Sequence, residues 1–174
     1  MILKIAIINA SPLIYLGKIG ALQCLPKLFP KCITTRLVKD EVLAQKRAPE
    51  YVILHNSFSD WLEIENPSNT KLVKKLEELR IHPGEASVIA LAKGLHEREQ
   101  KNIVLIDDLT AREIARTLDL AVTGTLGVIL KALRSGIING KIARQFLDAI
   151  VEKTTFHLSA ELYLKIPREI ENME

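Results

Sequence analysis

Ile103-Val104-Leu105-Ile106-Asp107-Asp108 is the stretch whose reading decides the fold. Four apolar, mostly β-branched residues without polar alternation predict a strand buried on both faces, the kind that populates parallel sheets. Two carboxylates end it abruptly, and a helix from Thr110 to Leu118 follows. The same pattern recurs on either side. Leu3 to Ile8 is a second apolar run, stopped at Asn9-Ala10-Ser11-Pro12. There Ser11 reads as an N-cap and Pro12 as the first helical position, ahead of Leu13, Ile14, Leu16 and Ile19 on one helical face. Leu22 to Phe29 predicts a short helix, Cys32-Ile33-Thr34 a strand, and Leu37, Val38, Val42 and Leu43 another helix.

The middle of the chain predicts two strands, Tyr51 to His55 and Trp61 to Glu65, separated by the polar segment Asn56-Ser57-Phe58-Ser59-Asp60. Leu72, Val73, Leu76 and Leu79 make an amphipathic helix over Ser68 to Arg80, and His82-Pro83-Gly84 interrupts before Ala86, Ile89, Ala90 and Leu95 define the next. A short strand near Leu120 to Val122, a turn at Gly124-Thr125-Leu126-Gly127 and a helix through Leu133 complete the alternation. Ile142 to Val151 and Ala160 to Ile170 predict C-terminal helices. Strands alternating with helices predict an α/β fold, a mostly parallel sheet with helices on both faces. No repeat, low-complexity tract or linker divides the chain. One domain over residues 1–174 is expected, its core at about 1–135 and its C-terminal helices at 139–174.

Composition narrows the function classes. The 174 residues are 48% hydrophobic, and 24 Lys and Arg face 21 Asp and Glu for a net charge of +3. A chain of this length buries a core without disulfide or metal staples. The near balance does not by itself announce a nucleic-acid binder, so a polyanionic partner has to be argued from where the charges sit. Cys24 and Cys32 read as small buried hydrophobes, and the four histidines lack the paired spacing of a zinc site. No basic leader precedes the first apolar run, and no apolar stretch approaches the roughly 18 residues of a membrane span. A cytoplasmic protein that does not enter membranes is expected.

The acidic residues fall at informative places. In an open α/β sheet, ligands bind beyond the carboxyl ends of the strands, so a polar residue directly after a buried strand lies on the functional edge. Asn9 and Asp107 are such residues. Glu85 follows Pro83-Gly84 at a helix start, and Glu41 lies in the helix after the second strand. Converging on one crevice, these oxygens suit a hard divalent cation and the hydrolysis of phosphodiesters, with Asp107, Glu41, Glu85 and Asn9 as candidate ligands. Each also has an ordinary reading: Glu85 as a helix-dipole residue, Glu41 as a solvated helix-face residue, Asn9 as a turn former, and Asp108 or Thr110 as a cap. Gly124 to Gly127 lacks the lysine and glycine spacing of a P-loop and reads as a turn.

Four segments together resemble the PIN-domain superfamily, and within it a prokaryotic branch of predicted nucleic-acid-binding proteins common in archaea. They are Asn9-Ala10-Ser11-Pro12-Leu13-Ile14-Tyr15-Leu16, the stretch from His82 to Ala92, Leu105 to Arg112, and Val122 to Val128. The resemblance implies a three-layer α/β/α fold and, in active members, a Mg²⁺- or Mn²⁺-dependent ribonuclease. VapC-type toxins of toxin–antitoxin pairs are relatives. By position it carries the family's acids onto Asn9, Glu41, Glu85 and Asp107, with Asp108 close by. The family has Asp where this chain has Asn9, and a hydroxyl residue where it has Ala10. An amide oxygen can ligate a metal but brings no charge and cannot act as a base, which is expected to weaken Mg²⁺ binding.

Arg112 and Arg116 share a helix face beside Asp107 and, with Ser11, are the candidate substrate-binding residues. Ion pairing with Asp108 and Glu113 is the alternative for the two arginines. RNA or single-stranded nucleic acid is the expected partner. The competing expectation is a PIN-fold binding module impaired in catalysis, or a subunit whose partner is an antitoxin-like protein or a second copy of itself. Leu158, Leu162, Leu164 and Ile166 are the candidate surface for such contacts, and packing within the monomer explains them equally.

Overall fold

The structure of the protein is a computed structural model and describes residues 4–173. Its strands are β1 (Ile5–Ile8), β2 (Cys32–Thr34), β3 (Leu62–Ile64), β4 (Asn102–Leu105) and β5 (Val122–Thr123). Its helices are α1 (Ala10–Lys18), α2 (Cys24–Leu28), α3 (Arg36–Val42), α4 (Tyr51–Asp60), α5 (Thr70–Glu78), α6 (Pro83–Glu97), α7 (Leu109–Thr117), α8 (Thr125–Arg134), α9 (Gly140–Lys153) and α10 (Ala160–Met173). Leu3, which the sequence reading placed in the first strand, lies outside the described residues.

The five strands form one all-parallel sheet in the order β3-β2-β1-β4-β5. Parallel neighbours need crossover connections, and those are right-handed. From β1 the chain steps to β2 and then β3 in one direction, returns across the sheet to β4, and continues to β5. Opposite directions of travel put α1 to α4 on one face and α5 to α7 on the other. The contacts agree: α6 packs on β1 and β4 and touches α5 and α7, whereas α1 meets α3, α4 and α8. The result is a three-layer α/β/α arrangement. Ala6, Ile7 and Ile8 of β1 and Val104 and Leu105 of β4 are wholly buried, as expected for strands covered on both faces.

Two local readings need correction. Tyr51 to His55 is not a strand but the first half of α4. The β-branched residues that suggested a strand are overruled by a longer period. Leu54, Ser57, Phe58 and Trp61 recur at helical spacing and face the core, while Val52 is 66% exposed and Leu54 is 0% exposed. In a strand those two would share a face. Ser11, in turn, is not the N-cap of α1. That position is Asn9, the helix begins at Ala10, and Asn9 makes no capping bond with its side chain.

Cys24 and Cys32 are free and buried; burial pushes both thiols up, Cys32 to about 12, so they behave as inert hydrophobes. No helix among the described residues is long and apolar enough to cross a membrane.

The helical register of α4 has a direct test. Leu54→Ala is expected to cost about 2–5 kcal/mol in urea unfolding, and Val52→Ala to change stability by no more than about 0.5 kcal/mol. Comparable losses at both positions would instead indicate a strand.

Candidate active site

Strand order reverses between β1 and β4, and such a switch point opens a crevice at the carboxyl edge of the sheet. Asn9 and Asp107 leave the two strands that flank it. The Asn9 backbone N–H donates to the Leu105 carbonyl at 3.0 Å, which ties the start of α1 to the end of β4. Asn9 is 3% exposed, and its side-chain Oδ1 is buried without a hydrogen-bond partner. That orphaned acceptor is costly in a protein interior and marks a place where a further group fits.

Asp107 is held from the next strand-to-helix junction. Its Oδ1 accepts from the Thr125 backbone N–H at 2.8 Å and its Oδ2 from the Thr125 hydroxyl at 2.7 Å. Thr125 is the first residue of α8, where the helix dipole also favours a carboxylate. Gly124 permits the approach: a Cβ there would stand 2.6 Å from Asp107 Oδ1 and 3.3 Å from Arg112 Nη1. Burial nonetheless pushes the Asp107 carboxyl up from its ordinary range, against the opposing effects of the two Thr125 bonds and the Arg112 charge.

Glu41 and Glu85 are brought together by a chain of hydroxyls. The Ser87 hydroxyl donates to the Gly84 carbonyl at 2.7 Å, and Thr35 Oγ1 lies 2.7 Å from Ser87 Oγ. Since each hydroxyl has one proton, Thr35 is the donor in that second bond, while its oxygen accepts from the Val38 N–H to cap α3. The chain fastens the start of α3 to the first turn of α6. Glu41 Oε2 then lies 3.1 Å from where a Cβ on Gly84 would stand. Glu85 has its carboxyl pushed up by burial and by the Asp108 charge, with a smaller push from Glu41; His82 and a backbone bond there oppose them. These carboxylates sit close enough to repel one another.

The remaining predicted residues separate. Asp108 caps α7, accepting from the Ala111 N–H at 2.8 Å, so it and not Thr110 is the cap. Arg112 forms no ion pair among the described residues, and its Nε is buried without an acceptor. Arg116 pairs with Glu113 along the exposed face of α7. Ser11, Glu85, Asp107, Asp108 and Arg112 line a single cleft of about 770 Å³. Phe156, His157 and Lys165 of the C-terminal segment and Tyr15 of α1 line the same cleft. Sequence reasoning did not place Thr125, Gly124, Thr35, Ser87, Tyr15 or Phe156 at the site. The Gly124-Thr125 pair directly after a strand was the one local signal for any of them.

Among the described residues, no three His, Cys, Asp or Glu side chains are grouped so as to hold a metal ion by themselves. A Mg²⁺-type site does not need such a cage, because the ion keeps several waters and takes only one or two carboxylates. The mutual repulsion around Glu85 and the unpartnered Asn9 Oδ1 are what a cation would relieve, so the donor set fits a hard divalent ion.

An all-parallel α/β/α protein with half-buried carboxylates, Asp107 and Glu85, near its switch point is of the class that binds a ligand at the carboxyl edge of the sheet. More particularly, the chain belongs to the PIN-domain family, whose model matches residues 5–172. This is a fold of the nucleic-acid nuclease type, and its members generally use divalent metals. No curated protein matches the chain.

The charge arrangement predicts a pH dependence. The folded-state pKa of Glu85 lies above its unfolded value, so the stability linked to its proton is present below about pH 4 and is lost as pH rises through the folded pKa. Without divalent metal, Glu85→Gln is expected to stabilise the protein at pH 7 by roughly 0.5 kcal/mol, kept small by solvent screening. The gain should vanish towards pH 4 in urea unfolding. A destabilised variant at pH 7 would contradict the repulsion.

Proposed function

We propose that this protein is a metal-dependent ribonuclease that hydrolyses phosphodiester bonds of RNA at the β1–β4 crevice. The observation that carries the reading is one cleft in which Asp107, Asp108 and Glu85 stand beside Arg112, a guanidinium with a buried, unpartnered Nε. Paired acidic and basic groups of this kind suit a phosphate that is bridged through a cation on one side and held directly on the other.

Asn9, Glu41, Glu85 and Asp107, with Asp108, are the groups that would hold Mg²⁺ or Mn²⁺. Such an ion, when bound, supplies charge neutralisation for phosphoryl oxygens and a more acidic water. Thr125 orients the Asp107 carboxylate through both its oxygens, leaving each with further acceptor capacity. Arg112 binds a non-bridging phosphate oxygen. Ser11, on the first turn of α1, offers its hydroxyl to the same backbone. Arg116 contributes positive charge from outside the cleft, partly neutralised by Glu113.

Single-stranded RNA with Mg²⁺ or Mn²⁺ is expected to be cleaved by the wild type. Asp107→Asn should be at least about 100-fold slower. Arg112→Ala should weaken RNA binding and reduce its salt slope by about one. Equal cleavage by the wild type and Asp107→Asn overturns the assignment. Asn9→Asp restores the missing charge and should raise activity. A silent wild type with an active Asn9→Asp would identify a binding module that has lost turnover.

A second reading, self-association or capture of an antitoxin-like protein, is favoured by one observation. Val151, Tyr163 and Leu164 of the last two helices are exposed, Leu164 by 66%. A homodimer by light scattering that Leu164→Glu dissociates is the expected outcome, and a monomeric wild type removes the self-association reading.

A further inference from the structure

The cleft is larger and less polar than a phosphate and a hydrated ion require. Besides the acids Glu85, Asp107 and Asp108, it is lined by the apolar side chains of Tyr15, Leu126, Leu130 and Phe156. The Tyr15 and Phe156 rings meet edge to face, with centroids 5.2 Å apart and planes at 87°. Both rings are only partly buried and both line the cleft, so aromatic surface of the pair faces the open volume. Tyr15 lies on α1, six residues beyond Asn9, about 9 Å along the axis at 1.5 Å per residue. That is the scale of a single nucleotide.

Charge accompanies the aromatic surface. Lys165 of α10 and His157 before it line the same cleft and are exposed, and Glu169 of α10 lines it as well. Arg112 lines the same cleft, its guanidinium beside Gly124 and Asp107. A ligand that satisfies all of this has a planar apolar portion and phosphates on either side of it.

We propose that Tyr15 and Phe156 form a seat for one unpaired nucleobase of a single-stranded nucleic acid. The phosphate adjoining that base lies against Arg112, and the next one lies near Lys165. The proposal rests on the nuclease reading and adds to it a recognition element supplied by the C-terminal segment. A duplex keeps its bases stacked inside and cannot deliver one to this seat. Every base has a π-face, so the seat selects single strands over duplexes with little preference for sequence.

The test is fluorescence anisotropy in EDTA, where no divalent ion permits cleavage. The probes are a short labelled single-stranded RNA, the same strand carrying abasic sites, and its duplex. The wild type is expected to bind the base-bearing strand about five- to 100-fold more tightly than the abasic one. Phe156→Leu keeps the apolar bulk and should hold the thermal midpoint while losing that ratio. Phe156→Trp should retain it. An unchanged ratio in Phe156→Leu, or a wild type indifferent to abasic sites, overturns the seat. If the ratio behaves as expected but neither the wild type nor Asn9→Asp cleaves RNA with Mn²⁺, the nuclease reading fails and the seat stands. If the wild type binds none of the three probes, the seat fails, and cleavage of RNA with Mn²⁺ alone decides the nuclease reading.

Discussion

The parallel pairing of β1 with β4 is the contact on which the rest of the molecule depends. It runs in register from Ile5 opposite Asn102 to Ile8 opposite Leu105, and the Asn9 N–H extends it by donating to the Leu105 carbonyl. These two strands are far apart in sequence, so their pairing reverses the direction in which the sheet grows. Right-handed crossovers must then place the earlier helices on one face and the later ones on the other. At the reversal, the connections leave β1 and β4 towards opposite faces, and Asn9 and Asp107 are the polar residues that follow those two strands. The fold and the candidate site therefore have one origin.

Holding acidic groups at that site works against stability, and the surrounding structure shows how the cost is limited. Asp107 is half-buried, and Thr125 binds both of its oxygens while Arg112 lies near. Gly124 has no side chain to intrude between them. Glu85 has fewer compensating partners and faces Asp108 and Glu41. A site in which like charges are held together before any ligand arrives is prepared for a cation, because the repulsion is already present and binding relieves it. In the proposed metal site, Asn9 would bring an amide oxygen and no charge.

Much of this was legible from local pattern, because strand ends and helix starts are punctuated by residue type. Ile103 to Ile106 followed by two aspartates, and the Pro83-Gly84-Glu85 helix start, announced both the elements and the acids beside them. The helix at Tyr51 was illegible for a physical reason. Its first residues carry β-branched side chains, and only burial of Leu54, Ser57 and Phe58 against the sheet decides for the helical period. The polar residues at Asn56 and Ser57, which suggested a break, instead continue the helix; the Ser57 hydroxyl donates to the Leu54 carbonyl at 2.6 Å. The start of α1 at Ala10 was hidden as well, since Asn9 at the N-cap position makes no side-chain capping bond.

By itself the amino-acid sequence determined the alternation of strands and helices, the parallel character of the sheet and the acids at the strand ends. These depend on side-chain periodicity and on what stops an element, both of which are local. Only the tertiary structure decided which strands are neighbours, and hence that Asn9 and Asp107 follow adjacent strands. It also decided that Thr125 grips Asp107, that a Thr35–Ser87 hydroxyl chain joins the helices of Glu41 and Glu85, and that Phe156 returns from the C-terminal segment to meet Tyr15. Each of these joins residues distant along the chain, and such contacts follow from packing, which no local pattern of residue types encodes.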